Sequence, residues 1–123
     1  SRRGEEALMP VDPGTVILFR SDLMGSGPAE LGEVLLGAFL KTLLCEGRLP
    51  REMLFVTDGV KLVCEGSRHL DTLRALASAG VSLKACGTCL DYFRLKEKVA
   101  SGEVSNMSAI AAALFSAKRV IEP

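Results

Sequence analysis

Residues 86–89 read Cys86-Gly87-Thr88-Cys89, two sulfurs separated by two residues. The chemistry open to such a pair is that of the thiolate, the form of cysteine that attacks, carries or ligates. A short apolar run, Val81 to Ala85, stops immediately before Cys86, and a helical pattern starts immediately after it. The pair is therefore expected at a strand-to-helix turn, beside the positive end of a helix, which favours thiolate over thiol. Unpaired amides at a helix start can receive a sulfur anion or a persulfide, and Gly87 lets the backbone turn tightly. Cys86, in the expected open loop, is the first candidate for the reactive thiol, with Cys89 as a resolving or supporting one. Against this stands a simpler reading: free cysteine is commonly buried and inert, so both residues could be packing.

The chain around this pair has 123 residues, a length that suggests one domain. It is 48% hydrophobic but only 5% aromatic, so its core should be built from Leu, Val, Ile and Ala. Fifteen basic and fifteen acidic residues cancel, which lacks the electrostatic footprint of a nucleic-acid binder. No apolar run approaches the roughly 18–20 residues that span a bilayer, and no export signal opens the sequence. Four cysteines in this setting suggest a reducing compartment, so a cytoplasmic protein with free thiols is expected. Residues 1–13 carry charge, two prolines and no periodicity; they read as a tail, a linker or an expression remnant, with one domain over residues 14–123.

The elements that must position the sulfurs alternate in type. Thr15–Arg20, Met53–Thr57 and Val81–Ala85 read as strands buried on both faces, Glu103–Ser105 as a very short fourth and Lys118–Ile121 as a fifth. Helices are expected over Glu30–Cys45, from Ser67 as N-cap to Ala79 with Gly80 beyond its end, from Cys89 to Ala100, and after Asn106 or Ser108. The segment Val60–Cys64 is left open between an extended piece and an ordered loop. In the first helix, Leu31, Val34, Leu35, Ala38 and Phe39 form one apolar stripe, and Leu36, Leu40 and Leu44 a second. A helix apolar on most of its circumference needs two partners: the sheet, and a neighbouring subunit. Strands alternating with helices imply βαβ units and a mostly parallel five-stranded sheet in a three-layer α/β domain. The loops leaving parallel strands share one edge, where sites form. Cys64 is thereby expected on the same rim as Cys86 and Cys89.

Other readings of the same residues are narrower. A thioredoxin-like pair faces a proline placed before a later strand, and prolines at 10, 13, 28, 50 and 123 do not fit that place. A zinc site would need Cys86, Cys89, Cys64 and His69, but structural zinc usually comes as two knuckles and here there is one. The expectation is no metal and no cofactor. Cys45, at the end of the apolar helix, reads as packing, and His69, the single histidine, as a surface or capping residue. Gly25-Ser26-Gly27 does not complete a dinucleotide fingerprint, since Glu30 stands at the last glycine position, and Asp22 and Glu30 would repel phosphate.

Several blocks carry a resemblance that covers Thr15 to Ile121. They are Ser21-Asp22-Leu23-Met24-Gly25-Ser26-Gly27, Glu30-Leu31-Gly32, Gly59-Val60-Lys61-Leu62, Glu65-Gly66-Ser67, Cys86-Gly87-Thr88-Cys89-Leu90-Asp91-Tyr92 and Gly102-Glu103-Val104-Ser105-Asn106-Met107. In this order they resemble the C-terminal DsrE-like domain of the YedF proteins, described as sulfurtransferase-like and associated with selenium metabolism. The resemblance implies a DsrE/DsrF-like fold, trimers or hexamers, and a sulfur (or selenium) relay in which a cysteine accepts sulfur as a persulfide and passes it on. Cys86 and Cys89 fall on the family's CGTC motif and are the implied catalytic residues. Ser21, Asp22, Gly25, Gly87, Thr88 and Asn106, within the matching blocks, are the implied substrate-binding residues. The implied partner is a sulfur donor or acceptor protein, such as a TusA-like domain, with no nucleic acid and no membrane involved. One departure stands beside the site: Thr57-Asp58 precedes the Gly-Val-Lys-Leu block where Asn is expected. The alternative, from a different class, is a non-catalytic oligomeric module that holds a small ligand or a partner's tail.

Overall fold

In the computed structural model, residues 10–123 are described. The expectations for the first nine residues lie outside them. Five strands form one sheet: β1 (Asp12–Phe19), β2 (Pro50–Phe55), β3 (Ser82–Cys86), β4 (Glu103–Ser105) and β5 (Arg119–Ile121). The order is β4-β3-β2-β1-β5, and every pairing is parallel. Four α-helices connect them: α1 (Ala29–Glu46), α2 (Leu70–Ser78), α3 (Gly87–Tyr92) and α4 (Met107–Ser116). Helices cover both sides of the sheet, as the alternating pattern requires. The pairing of α1 with α2 builds one layer, and α4 lies against β1 and β3.

The strand β1 begins three residues earlier than its apolar run. Pro13 has no N–H to give to the ladder, and the register slips between Asp12 and Val16. The Asp12 carboxylate takes over, accepting from Gly14 N (2.9 Å) and Thr15 Oγ1 (2.8 Å). At the other end of the strands, Phe19 and Phe55 pair in register and their rings stack with centroids 5.1 Å apart. They form an apolar floor directly beneath the loops that leave β1 and β2. The undecided segment after β2 is a 3-10 helix, Thr57–Val63.

The helices depart from the sequence expectations: the second begins at Leu70 with His69, not Ser67, as its N-cap. The third helix spans only Gly87–Tyr92, followed by a turn and a short 3-10 piece at Lys96–Lys98. Arg94 takes a left-handed φ of 58°, and Arg94 N and Leu95 N bond back to Asp91 O and Leu90 O. That is a Schellman ending with arginine where glycine is usual, which hydropathy spacing does not reveal. In α1 the sheet takes Gly32, Leu36, Leu40 and Leu43, so the second stripe is the buried one. The first stripe, with Leu31, Val34 and Leu35 from 42% to 68% exposed, faces away. Cys45 is exposed at the far end of α1, not packed as expected.

Candidate functional site

The carboxyl ends of β1, β2 and β3 bring three backbone segments together. Cys86 closes β3 and is the N-cap of α3; its φ of −63° and ψ of 120° are still those of a strand. Cys89 is the third residue of the helix. The turn between them is held by Gly87, which is buried against β4: a Cβ there would lie 3.1 Å from Ser105 O. Thr88 is exposed beside it. The sequence therefore placed the sulfurs at the right turn, but their exposure is the reverse of the expectation. Cys86 is 2% exposed, sealed in the core, while Cys89 is only partly covered.

A residue that sequence reasoning did not select completes the site. Thr57, the first residue after Val56 leaves β2, has a left-handed φ of 51°, a rare conformation for a β-branched side chain. It is held there by its hydroxyl, which donates within reach of two carbonyls, Arg20 O at the end of β1 and Val56 O at 2.7 Å. Its backbone N–H then donates to Cys89 Sγ across 3.1 Å. The 3-10 helix that begins with Thr57 is pressed onto β1: a Cβ on Gly59 would stand 2.2 Å from Phe19 O. Only glycine permits that approach. The signal in the sequence was indirect, namely Thr57-Asp58 standing where the resembling family has asparagine, a residue that tolerates left-handed backbone.

The electrostatics also differ from the expectation of an acidified thiolate. Burial is the main influence on the Cys89 thiol and pushes its pKa above the usual value; a hydrogen bond with the Cys86 side chain acts in the same direction, and the Thr57 N–H opposes both. The helix that was to lower the pKa is a six-residue stub. The Cys89 thiol thus holds its proton more firmly than a free cysteine, with the Thr57 N–H in place for the anion once the proton leaves.

The remaining sequence candidates are dispersed. Asn106 uses its Oδ1 to cap α4, accepting from Ala109 N at 2.9 Å. Ser21 Oγ accepts from Leu23 N at 3.0 Å in its own loop; Ser21 and Gly25 border a depression with Arg20 and Pro123 that neither Cys86 nor Cys89 lines. Asp22 lines a separate cavity of about 500 Å³ with Lys61, Cys64, Ser67, His69 and Phe93, and neither Cys86 nor Cys89 lines it. Cys64 is buried there and donates to Val60 O at 3.2 Å; burial raises its pKa, with the Glu65 charge adding to it. Burial lowers that of His69. Cys64 and His69 therefore do not join Cys86 and Cys89, and among the described residues no three His, Cys, Asp or Glu side chains are grouped as metal ligands. Nor is any helix among those residues long and apolar enough to cross a membrane.

An all-parallel α/β domain with a cysteine pair at the end of its third strand is the class that fold and site define. The chain belongs to the DsrE/DsrF-like family, whose model matches residues 49–123, more than half of its length and all of the sulfur site apart from Phe19 and Arg20. No curated protein matches it. Among solved structures it is similar to the ychN protein from E. coli, with 15% identity and a TM-score of 0.63 over 89% of this chain and 98% of that one. It is also similar to MTH1491 from Methanobacterium thermoautotrophicum, a protein of unknown function, with 19% identity and a TM-score of 0.66 over 91% and 100%. BT1422 from Bacteroides thetaiotaomicron, likewise of unknown function, gives 12% identity and a TM-score of 0.65 over 89% and 95%. At such identities the likeness is one of fold.

Proposed function

We propose that this protein is a sulfur (or selenium) relay protein that carries a persulfide on Cys89. The observation that carries the proposal is the partly exposed Cys89 Sγ beneath the Thr57 N–H, at the loop-bearing edge of the sheet, with Cys86 sealed behind it. Loading is a thiol exchange. The Cys89 thiolate attacks the outer sulfur of a donor persulfide, a new S–S bond forms, and the donor departs as its own thiolate. The Cys89 proton passes to solvent or to the departing thiolate, and the Thr57 N–H lies against the sulfur that has lost it. Membership of the DsrE/DsrF-like family fits a relay.

Further parts of the proposal rest on the resemblance to YedF proteins. These are a donor or acceptor of the TusA type, a place in selenium metabolism and a cytoplasmic setting. Tyr92 is 82% exposed one helical turn beyond Cys89, which suits recognition of a protein partner rather than a free small molecule. The exposed stripe of α1 supports a homo-oligomer, trimer or hexamer, since a patch of this kind is rarely left bare. The non-catalytic alternative draws its support from the Asp22–His69 cavity, which lies apart from the sulfurs.

The test uses the whole chain carrying Cys45→Ser, so that the exposed Cys45 takes up no sulfur of its own. In the first moments of incubation with a persulfide donor, before any loss of the added sulfur, intact-mass measurement should show the gain of one sulfur atom. Adding Cys89→Ser should abolish that gain. Equal loading with and without Cys89 would overturn Cys89 as the carrier, and no loading of either chain would end the relay proposal in favour of the binding module.

A further inference from the structure

We infer that Cys86 is an internal acceptor for the sulfur site, so that a persulfide on Cys89 is resolved within the chain, releasing sulfide and leaving a Cys86–Cys89 disulfide. The inference rests on Cys89 being the loaded residue and adds a second activity to it, the reduction of sulfane sulfur to sulfide.

Three observations lead there. Cys86 is the N-cap of α3 and Cys89 its third residue, so the two side chains stand at either end of a single turn. The Cys86 side chain is one of the neighbours that hold the Cys89 proton, which places it beside that sulfur. The exposures differ sharply: Cys86 is 2% exposed and Cys89 is open on one side. An external donor, acceptor or alkylating reagent therefore meets Cys89 first. The other cysteines among the described residues are elsewhere, Cys64 bonded to Val60 O in its own segment and Cys45 at the end of α1. The partner sulfur within reach of Cys86 is Cys89.

This arrangement also chooses the direction of attack. Thiol exchange proceeds with the entering and leaving sulfurs on opposite sides of the sulfur attacked. Cys86 approaches from the core side of Cys89, and the outer sulfur of the persulfide lies on the solvent side. The Cys86 sulfur therefore attacks the inner sulfur, Cys89 Sγ. The bond from Sγ to the outer sulfur breaks, and its electron pair leaves with the outer sulfur as hydrosulfide, which takes up the Cys86 proton. Two cysteine thiols have then been oxidised by two electrons and one sulfane sulfur reduced by two. A dithiol reductant returns the disulfide to the starting pair. A protein acceptor that reaches the outer sulfur first takes it away intact, so transfer and release compete for the same persulfide.

The experiment compares the Cys45→Ser chain with the same chain carrying Cys86→Ala, both loaded with sodium polysulfide, freed of excess and followed by intact mass and by sulfide release. The pair-containing chain should lose the added sulfur, reach a mass two hydrogens below the reduced protein, release stoichiometric sulfide and return to the thiol form with dithiothreitol. The Cys86→Ala chain should keep its added sulfur about tenfold longer or more. Equal persulfide lifetimes in the two chains overturn the inference while leaving the relay intact. Loading of neither chain overturns both. Because Ala at a buried site could disturb the turn, Cys86→Ser and far-ultraviolet circular dichroism accompany it. Diamide oxidation of the unloaded chain gives a readout independent of loading: failure to form the Cys86–Cys89 disulfide on peptide mapping overturns the inference by itself.

Discussion

The backbone amide of Thr57 donates to the sulfur of Cys89 across 3.1 Å, and it does so from a left-handed conformation that a β-branched residue seldom adopts. The hydroxyl of the same residue ties the strand end at Arg20 to this turn. Backbone strain of this kind costs on the order of 1–3 kcal/mol. Here it aims a donor at the one sulfur of the pair that solvent can reach.

Replacing Thr57 separates the strain from the latch. Thr57→Val keeps the branched shape but removes the hydroxyl, and should cost about 1 kcal/mol in urea unfolding. With the amide less firmly held, the pH profile of Cys89 alkylation should move further up. Thr57→Asn, whose side chain tolerates the left-handed region, should be at least as stable as the wild type and should retain its alkylation profile. An unaltered profile in Thr57→Val would show that the amide does not influence this thiol.

Gly59→Ala tests the seat of the latch. Its Cβ would lie 2.2 Å from Phe19 O, and a backbone oxygen in a sheet cannot swing aside. The 3-10 helix must lift, at a cost of about 3 kcal/mol, or roughly 10 °C in Tm for a chain of this length. Calorimetry would check this, and a loss of under about 1 kcal/mol would mean that the segment is free to shift.

Stability should peak around neutral pH. Burial raises the pKa of the Cys64 and Cys89 thiols, so the fold keeps protons that the unfolded chain releases from about pH 8.5 upward, and stability falls as pH rises beyond that point. For His69, burial lowers the pKa, so the unfolded chain takes up its proton first below about pH 6.5, and stability falls as pH drops. Urea titrations at acid, neutral and alkaline pH should show both limbs. His69→Gln should flatten the acid limb near pH 6, and an unchanged limb would assign it to other groups.

Placing a charge in the bare stripe of α1 tests the proposed assembly. Val34 is 68% exposed between Leu31 and Leu35 on the same face. Val34→Glu should leave the circular dichroism spectrum unchanged and reduce the solution mass to that of one chain. A wild-type protein that is already monomeric in light scattering would remove this part of the proposal.

The local code of the chain was enough for the architecture. Short apolar runs alternating with helical spacing specify a parallel α/β sheet, because only strands covered on both faces read that way. Single residues also marked their own places: Gly80 takes a φ of 112° just past α2, and Asn106 caps α4. The position of the cysteine turn, too, followed from the strand ending at Cys86. What neighbouring residues could not decide was exposure and reach. Arg94 adopts a glycine-like conformation and shortens α3, and nothing in its side chain announces that. Both stripes of α1 are apolar, and only packing against the sheet selected the one containing Leu36 and Leu40. Most of all, Thr57 and Cys89 stand 32 residues apart in the chain. They meet because β2 lies in register between β1 and β3, pairing Phe55 with Phe19 on one side and Ala85 on the other. Residue types and spacing carry the chemistry a side chain can do, whereas which sulfur meets solvent and which amide faces it is a property of distant segments brought together.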